Sequence, residues 1–431
     1  MPFEARPAGP RKIAVIGGGI SGMGAAHMLA DDNHITLFEA APRLGGHART
    51  VIAGKKGDQP VDMGFIVFNY ANYPHMTRLF EALDVPVVQS DMSFAASLRG
   101  GRLEYGLRSL RALFAQPQNA LNPRFLRMVR DVMYFNANAL KRCTDRSQSI
   151  GDFLADLGTG DWFRDFYLLP LSGAIWSTPT EKILDFPAHA LLQFFENHAL
   201  LHHSGQHQWY TVQGGSISYV SRLESALIEQ GVELRKATPV AGVRRSLAGV
   251  FIRPVGGEEQ RFDDVIFATH SDDTMALLSD IRHDESRALG AIRYQPNEVV
   301  LHADQTIMPK RRACWSSWNY TEDSGKVMNQ IDLTYWMNCL QPIPEDDPLF
   351  VTLNSTRTIR EDLIHDSVTM RHPVFDIGAL DAQGAIRAMN GTSRTWFCGA
   401  WMKNGFHEDG LSSALDTVEA LRSRYAVETA A

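Results

Sequence analysis

Residues 12–50, KIAVIGGGISGMGAAHMLADDNHITLFEAAPRLGGHART, leave a chain little freedom in how it begins to fold. The run 12–16 is short and apolar, as a strand buried on both faces of a parallel sheet must be. Gly17, Gly19 and Gly22 then form G-x-G-x-x-G, and residues 20–30 continue at helical spacing. Gly17 permits the sharp exit from the strand, Gly19 lets the backbone approach a pyrophosphate, and Gly22 lets the helix pack closely on the sheet. The free amides at the helix start, with the helix dipole, attract phosphate. A second strand, residues 35–38, ends in Glu39, where a carboxylate can accept hydrogen bonds from an adenosine ribose.

Arg43, Gly45 and Gly46 follow Glu39 as E-x-x-x-R-x-G-G. This resembles the FAD signature of the flavin-containing amine oxidase superfamily, which also holds protoporphyrinogen oxidases and phytoene desaturases. There the second glycine pair wraps the pyrophosphate from the other side, which implies FAD rather than NAD. Similar signals recur at 208–245, at "DDVIFATH" (263–270) and at 394–424. The resemblance implies an α/β, Rossmann-like FAD-binding domain with a parallel central sheet, made from 10–85, 208–285 and 393–425. An interleaved α+β substrate-binding domain would take 86–207 and 286–392, and residues 1–9 read as a mobile tail.

The resemblance also implies the cofactor contacts. Gly17, Gly19, Ile20, Ser21 and Gly22 would form the first turn, with Glu39 and Ala40 at the ribose. Arg43, Gly45, Gly46 and His47 would close over the pyrophosphate. Gly64, Phe65 and Ile66 would pass beside the isoalloxazine, Val240 would meet the adenine and Ala268 would line the dinucleotide. Gly399 and Ala400 would start the last flavin-binding turn, and a helix opening at Gly410, Leu411 and Ser412 would aim its positive end at the flavin. His47 and Ala400 stand where relatives commonly carry arginine and an acid. No cysteine occupies the place of a covalent flavin link, so the FAD is expected to be noncovalent.

Amine oxidases commonly place a lysine near the flavin, in the strand that here reads "YQPNEVVLHAD". No lysine lies between Arg282 and Lys310; Glu298 and His302 are the ionisable residues of that strand before Asp304. Amine oxidation with peroxide release is the weaker alternative on this count, beside a flavoprotein isomerase without net redox change. Whole phrases, among them "DMGFIVFNYANYP", "FYLLPLSGAIWSTP" and "GFHEDGLSSA", are similar to a bacterial branch of FAD-dependent oxidoreductases that includes the flavin desaturase of furan fatty acid formation. That resemblance implies dehydrogenation of a methylated or unsaturated fatty acyl chain, in phospholipid.

An acyl pocket needs shape more than charge. Trp176, Trp315 and Tyr320 are candidates for its lining, and each also reads as an ordinary core aromatic. His407 and Glu408 are candidates for the catalytic base, with helix capping or loop support as the competing role; Asp409 reads as a cap and His270 is open between the two. Residues 122–135 would put Phe125, Leu126, Val129, Val132 and Met133 on one helix face and Arg124, Arg127 and Arg130 on the other. Such a helix suits either the core or an anionic membrane surface.

The formal net charge of −7 argues against nucleic acid as a partner. Four cysteines without metal-ligand spacing read as reduced and no metal is expected, while no stretch is long and apolar enough to span a bilayer. A cytoplasmic enzyme, peripheral at the inner face of the membrane if its substrate is lipid, is the expectation; the oligomeric state is left open.

Overall fold

The computed structural model describes residues 9–176, 180–197, 200–201, 207–322 and 331–430, so the tail expected at 1–9 lies outside it except for Gly9. A five-stranded parallel sheet runs in the order Glu233–Arg235, His34–Phe38, Lys12–Ile16, Asp264–Phe267, Thr395–Phe397. In the first two strands of the chain every residue after the first is buried, as both faces are covered. Helix Ile20–Leu29 lies on one face, and the last helix, His407–Ala430, packs against it. The buried Asp264 holds the far edge of this layer, taking hydrogen bonds from Arg11, Trp396 and Tyr425. A three-stranded antiparallel unit, Val240–Ser246, Gly249–Pro254 and Gln260–Phe262, branches from it. This is the α/β, Rossmann-like architecture the glycine pattern implied.

A second, seven-stranded sheet runs Ile364–Val374, Arg293–His302, Phe350–Leu353, Leu333–Trp336, Trp318–Thr321, Phe94–Leu98, Leu103–Gly106. One large apolar core joins it to helices Pro123–Arg142, Ile150–Leu157, Leu169–Trp176 and Ala188–Asn197. Arg164–Leu168 winds as a π-helix, and the Tyr105 hydroxyl donates to the Phe166 carbonyl within it.

The chain crosses between the layers at places other than 86 and 286. Strand Val87–Ser90 pairs with Trp209–Val212 and so stays with the first layer. Helices His283–Ala291 and Ile377–Met389 pack together over the parallel sheet, where Leu289, Ala379 and Ile386 are fully buried. Helix Pro123–Arg142 also departs from expectation. Its buried side carries Phe125, Met128, Asp131, Phe135 and Ala139, while Leu126 and Met133 stand in solvent with the arginines.

Candidate active site

Two glycine loops meet at the carboxyl end of the parallel sheet. Gly19 caps helix Ile20–Leu29 and bridges to Gly45, whose N–H donates to the Gly18 carbonyl at 2.8 Å. Gly17, Gly45 and Gly46 have φ of 108°, 102° and 56°, which favours glycine. A Cβ on Gly22 would lie 1.8 Å from the Gly17 carbonyl oxygen, and one on Gly46 would lie 3.0 Å from Gly19 Cα. The result is a cradle of bare backbone with helix amides at its floor, which fits a pyrophosphate.

Glu39 accepts from the Gly18 N–H at 2.6 Å and from the Ala41 N–H at 2.8 Å, so its carboxylate is held at the sheet edge beside Ala40. Arg43 donates to the carbonyls of Leu44, Gly46 and Ala48 and thereby laces the second loop into shape. Ala268 continues the neighbouring strand, its N–H on the Ile16 carbonyl, and Val240 opens the antiparallel unit opposite Pro254. Gly399, at φ 157°, is clasped by Ser413, which accepts its N–H at 2.9 Å. Ala400 follows it, its carbonyl accepting from Lys403 and Gly405.

The last helix begins at His407, one turn before the expected Gly410. Asp409 accepts the Phe406 N–H at 2.9 Å, and Gly410 already donates to the Phe406 carbonyl, so the helical ladder is under way there. Gly410 is needed for close approach instead: a Cβ on it would lie 2.9 Å from both Ile20 and Ser21. Leu411 fills the space above Gly24, and Ser412 accepts from Lys403.

Glu408 is occupied. Its two oxygens accept the N–H groups of His75 and Met76, each at 2.9 Å, and so hold the start of helix Pro74–Ala82. That placement corrects the expectation of Glu408 as a base: both oxygens are engaged by a helix terminus.

His407 lies flat on Phe65, with ring centroids 4.1 Å apart, and its Nε2 meets the Tyr219 hydroxyl at 2.5 Å. Burial pushes its pKa down to about 3, so the ring is neutral. Gly64 lets the backbone close over His47, whose carbonyl accepts the Phe65 N–H. Ile66 next to it accepts from Thr211. Asp62, before this segment, takes hydrogen bonds from Thr50, Ser216 and Gln341 and pins it to the adjoining helix.

Around His47 the fold gathers more imidazoles than the sequence suggested. His270 and His372 each have ring centroids 5.7 Å from it. His270 stacks on Tyr294 at 4.4 Å, and its buried Nδ1 has no hydrogen-bond partner among the described residues. His372 Nδ1 meets the Asn297 amide at 2.9 Å, and Asn297 in turn accepts from Asn354. Burial first, then neighbouring positive charge, pushes both rings down to about 3. Sequence reasoning missed His372 and Asn297. They meet across paired strands, and no local motif marks them. The two expected ionisable residues of the same strand turn elsewhere: Glu298 is exposed, and His302 bonds to Thr352 beside Phe350.

Trp176, Trp315 and Tyr320 are not brought together. Trp176 packs on Phe194 at 4.8 Å, and Phe194 stacks on Phe406 at 5.0 Å, next to His407. Tyr320 is buried in the same large core with its hydroxyl toward Glu322, whereas Trp315 belongs to a separate cluster with Trp336 and Phe350. Among the described residues, His270, Asp272 and Asp273 form the one group with metal-ligand spacing, and Arg371 already pairs with both carboxylates.

The glycine cradle, the carboxylate at the sheet edge and the unpartnered His270 Nδ1 fit a flavin dinucleotide. Comparison with known proteins agrees. Coproporphyrinogen III oxidase of Mycobacterium tuberculosis strain H37Rv is 49% identical over 78 residues, 17% of this chain and 16% of the relative's own length. Among solved structures, a fatty acid isomerase from P. acnes that produces CLA is similar at TM-score 0.65 and 15% identity, covering 95% of this chain and 98% of its own. Cyclohexylamine oxidase from Brevibacterium oxydans matches at TM-score 0.65 and 14% identity, over 96% of this chain and 100% of its own. Residues 20–421 match the model of the flavin containing amine oxidoreductases, and the chain belongs to that family of FAD-dependent oxidoreductases.

Proposed function

We propose that this enzyme dehydrogenates an apolar, methylated or unsaturated fatty acyl chain, and that His407 takes the proton. The observation that carries the reading is the row of packed aromatics Trp176–Phe194–Phe406, which leads from the large apolar core to the residue before His407. An acyl chain gains from such a path through burial alone, at roughly 0.8 kcal/mol per methylene. FAD, held by the residues of the two glycine loops, supplies the two-electron acceptor.

The protein's own groups do the rest. Phe65 fixes the His407 ring by stacking, and Tyr219 fixes its Nε2. With the ring proton on Nε2 and directed to the Tyr219 oxygen, the Nδ1 lone pair is left to accept a proton from carbon. The cations whose charge reaches His47 are arginines, Arg43 and Arg371, and Arg371 is neutralised by Asp272 and Asp273. Neutral, buried imidazoles favour an uncharged substrate over an amine. The fatty acid isomerase shares the fold, so isomerisation without net redox change is the reading to separate from this one.

The test is anaerobic mixing of the purified flavoprotein with phospholipid bearing methylated acyl chains. Bleaching of the flavin, with a new double bond in the recovered lipid, is expected. A shifted double bond with no bleaching would assign isomerisation, and bleaching by amines alone would overturn the proposal.

A further inference from the structure

We infer that the surface formed by residues 107–134 and 310–312 docks on an anionic lipid bilayer. Between Met92 and Thr144 the sequence has nine arginines and lysines against two acids, in a chain whose net charge is −7. Both acids, Glu104 and Asp131, are buried at 0% and 4% exposure, so the charge this stretch shows to solvent is positive. Arg127 and Arg130 pair with Asp131 yet remain 60% and 70% exposed.

Large apolar side chains stand among these cations. Leu121 is 86% exposed, Leu110 77%, Met133 69% and Leu126 44%. They are not the core-facing side of an amphipathic helix, because Phe125, Met128, Phe135 and Ala139 already fill that side. Scattered single leucines on a surface need no explanation. Leu126 and Met133, two turns apart, share the outer face of helix Pro123–Arg142, and the segment that carries Leu110 and Leu121 is tied down beside it at several points. Gln116 donates to the Gly101 carbonyl, Asn119 to the Glu104 carbonyl, and the Cys314 thiol to the Ala112 carbonyl. The Glu104 carboxylate accepts the N–H groups of Lys310 and Arg311 at 2.8 and 3.0 Å, which brings three further exposed cations, Lys310, Arg311 and Arg312, to the same end of the sheet.

Leucines that enter an acyl layer, beside arginines at phosphate depth, match an anionic membrane in both polarity and charge. Nucleic acid would meet the arginines and leave the leucines without a partner. The surface stands independently of which substrate the enzyme oxidises. It also gives a lipid-acting enzyme access to its substrate.

The test uses the full-length flavoprotein in flotation with phosphatidylcholine vesicles, with and without phosphatidylglycerol, all carrying straight unmethylated chains. Binding to the phosphatidylglycerol vesicles is expected, at least tenfold weaker to phosphatidylcholine alone and weakened by salt. Leu110→Glu with Leu121→Glu should reduce binding at least tenfold, and Arg111→Gln and Arg124→Gln about fivefold per charge removed. Unchanged flavin content and thermal midpoint show that the variants fold. No flotation on either vesicle, binding that survives the leucine pair, or tighter retention on duplex DNA would overturn the docking surface. Turnover of detergent-dispersed acyl substrate is measured separately, so a failure of the acyl reading would be seen apart from a failure of docking.

Discussion

The rings of Phe65 and His407 are stacked with their planes only 10° apart, and the hydroxyl of a buried phenol, Tyr219, meets the edge of the imidazole at Nε2. If His407 is the base proposed above, a ring held in this way cannot be replaced by a group that merely fills space. His407→Gln is expected to lower kcat at least a hundredfold with FAD still bound, the range for loss of a positioned proton acceptor. Tyr219→Phe should cost less, because stacking on Phe65 persists. Rapid-reaction flavin reduction measures both, and a His407→Gln enzyme of normal rate would remove His407 from the chemistry.

Gly19 offers an unusually clean test of the cradle. Its φ of −76° suits any residue, and an added Cβ meets nothing nearer than Gly46 Cα at 4.0 Å. Gly19→Ala should therefore fold normally and lose FAD affinity at least tenfold, since the methyl group enters only the cofactor's space. Gly22→Ala should fail to fold well, with its Cβ 1.8 Å from a backbone oxygen. Equilibrium dialysis of FAD together with thermal unfolding separates the two effects.

The parts of the site that one continuous segment builds were readable from the chain. Strand, glycine turn, helix and Glu39 follow one another within a few turns, and local geometry dictates their residues. The histidine cluster was not readable. His47, His270 and His372 come from three distant segments and meet only after two sheets have packed. The wheel for 122–135 also misled, because periodicity identifies a face without saying which side meets a partner. Asp131 is buried on the inner face, where it meets the Gly160 N–H and the exposed Arg127 and Arg130, while Leu126 and Met133 face out.

Glu408 as a helix cap makes a different prediction from Glu408 as a base. Glu408→Ala removes both acceptors from the start of helix Pro74–Ala82, and a loss of ~2 kcal/mol in unfolding free energy is expected. Glu408→Gln keeps one acceptor and should cost about half as much, with kcat changed less than threefold. A large fall in kcat at unchanged stability would restore the catalytic role.

The buried imidazoles should make the fold acid-sensitive. His270, His372 and His407 titrate near 3 and His302 near 4 in the folded chain, and His47 is also pushed below its ordinary value. Groups lowered in this way take up protons on unfolding, so their stability is full above pH ~6.5 and is lost as pH falls toward 3–4. Asp62 and Asp409, raised to about 6 by burial, act in the opposite sense: their contribution is present at low pH and lost as pH rises through about 6. Near pH 5 the four histidines near 3–4, set against the two aspartates, give a net uptake of about two protons, a slope of ~3 kcal/mol per pH unit. Urea unfolding across pH 4.5–6 measures it, and His372→Asn should remove about one proton's share. A flat profile would contradict the burial of these rings.

On the acyl reading proposed above, the aromatic path would set the dependence on chain length. Phe194 joins Trp176 to Phe406, so Phe194→Ala opens a gap between the apolar core and His407 without touching either glycine loop. A long acyl chain that lies along this path loses packing worth ~2–3 kcal/mol, so kcat/KM should fall roughly thirty- to a hundredfold. A short chain that ends before Phe194 should be affected less than threefold, because its reacting carbon would still reach His407. The comparison is therefore the ratio of kcat/KM for long and short acyl substrates, measured in the parent and in Phe194→Ala with equal flavin content. An equal loss for both lengths would mean that Phe194 only supports the fold, and the substrate would then have to reach His407 by another route.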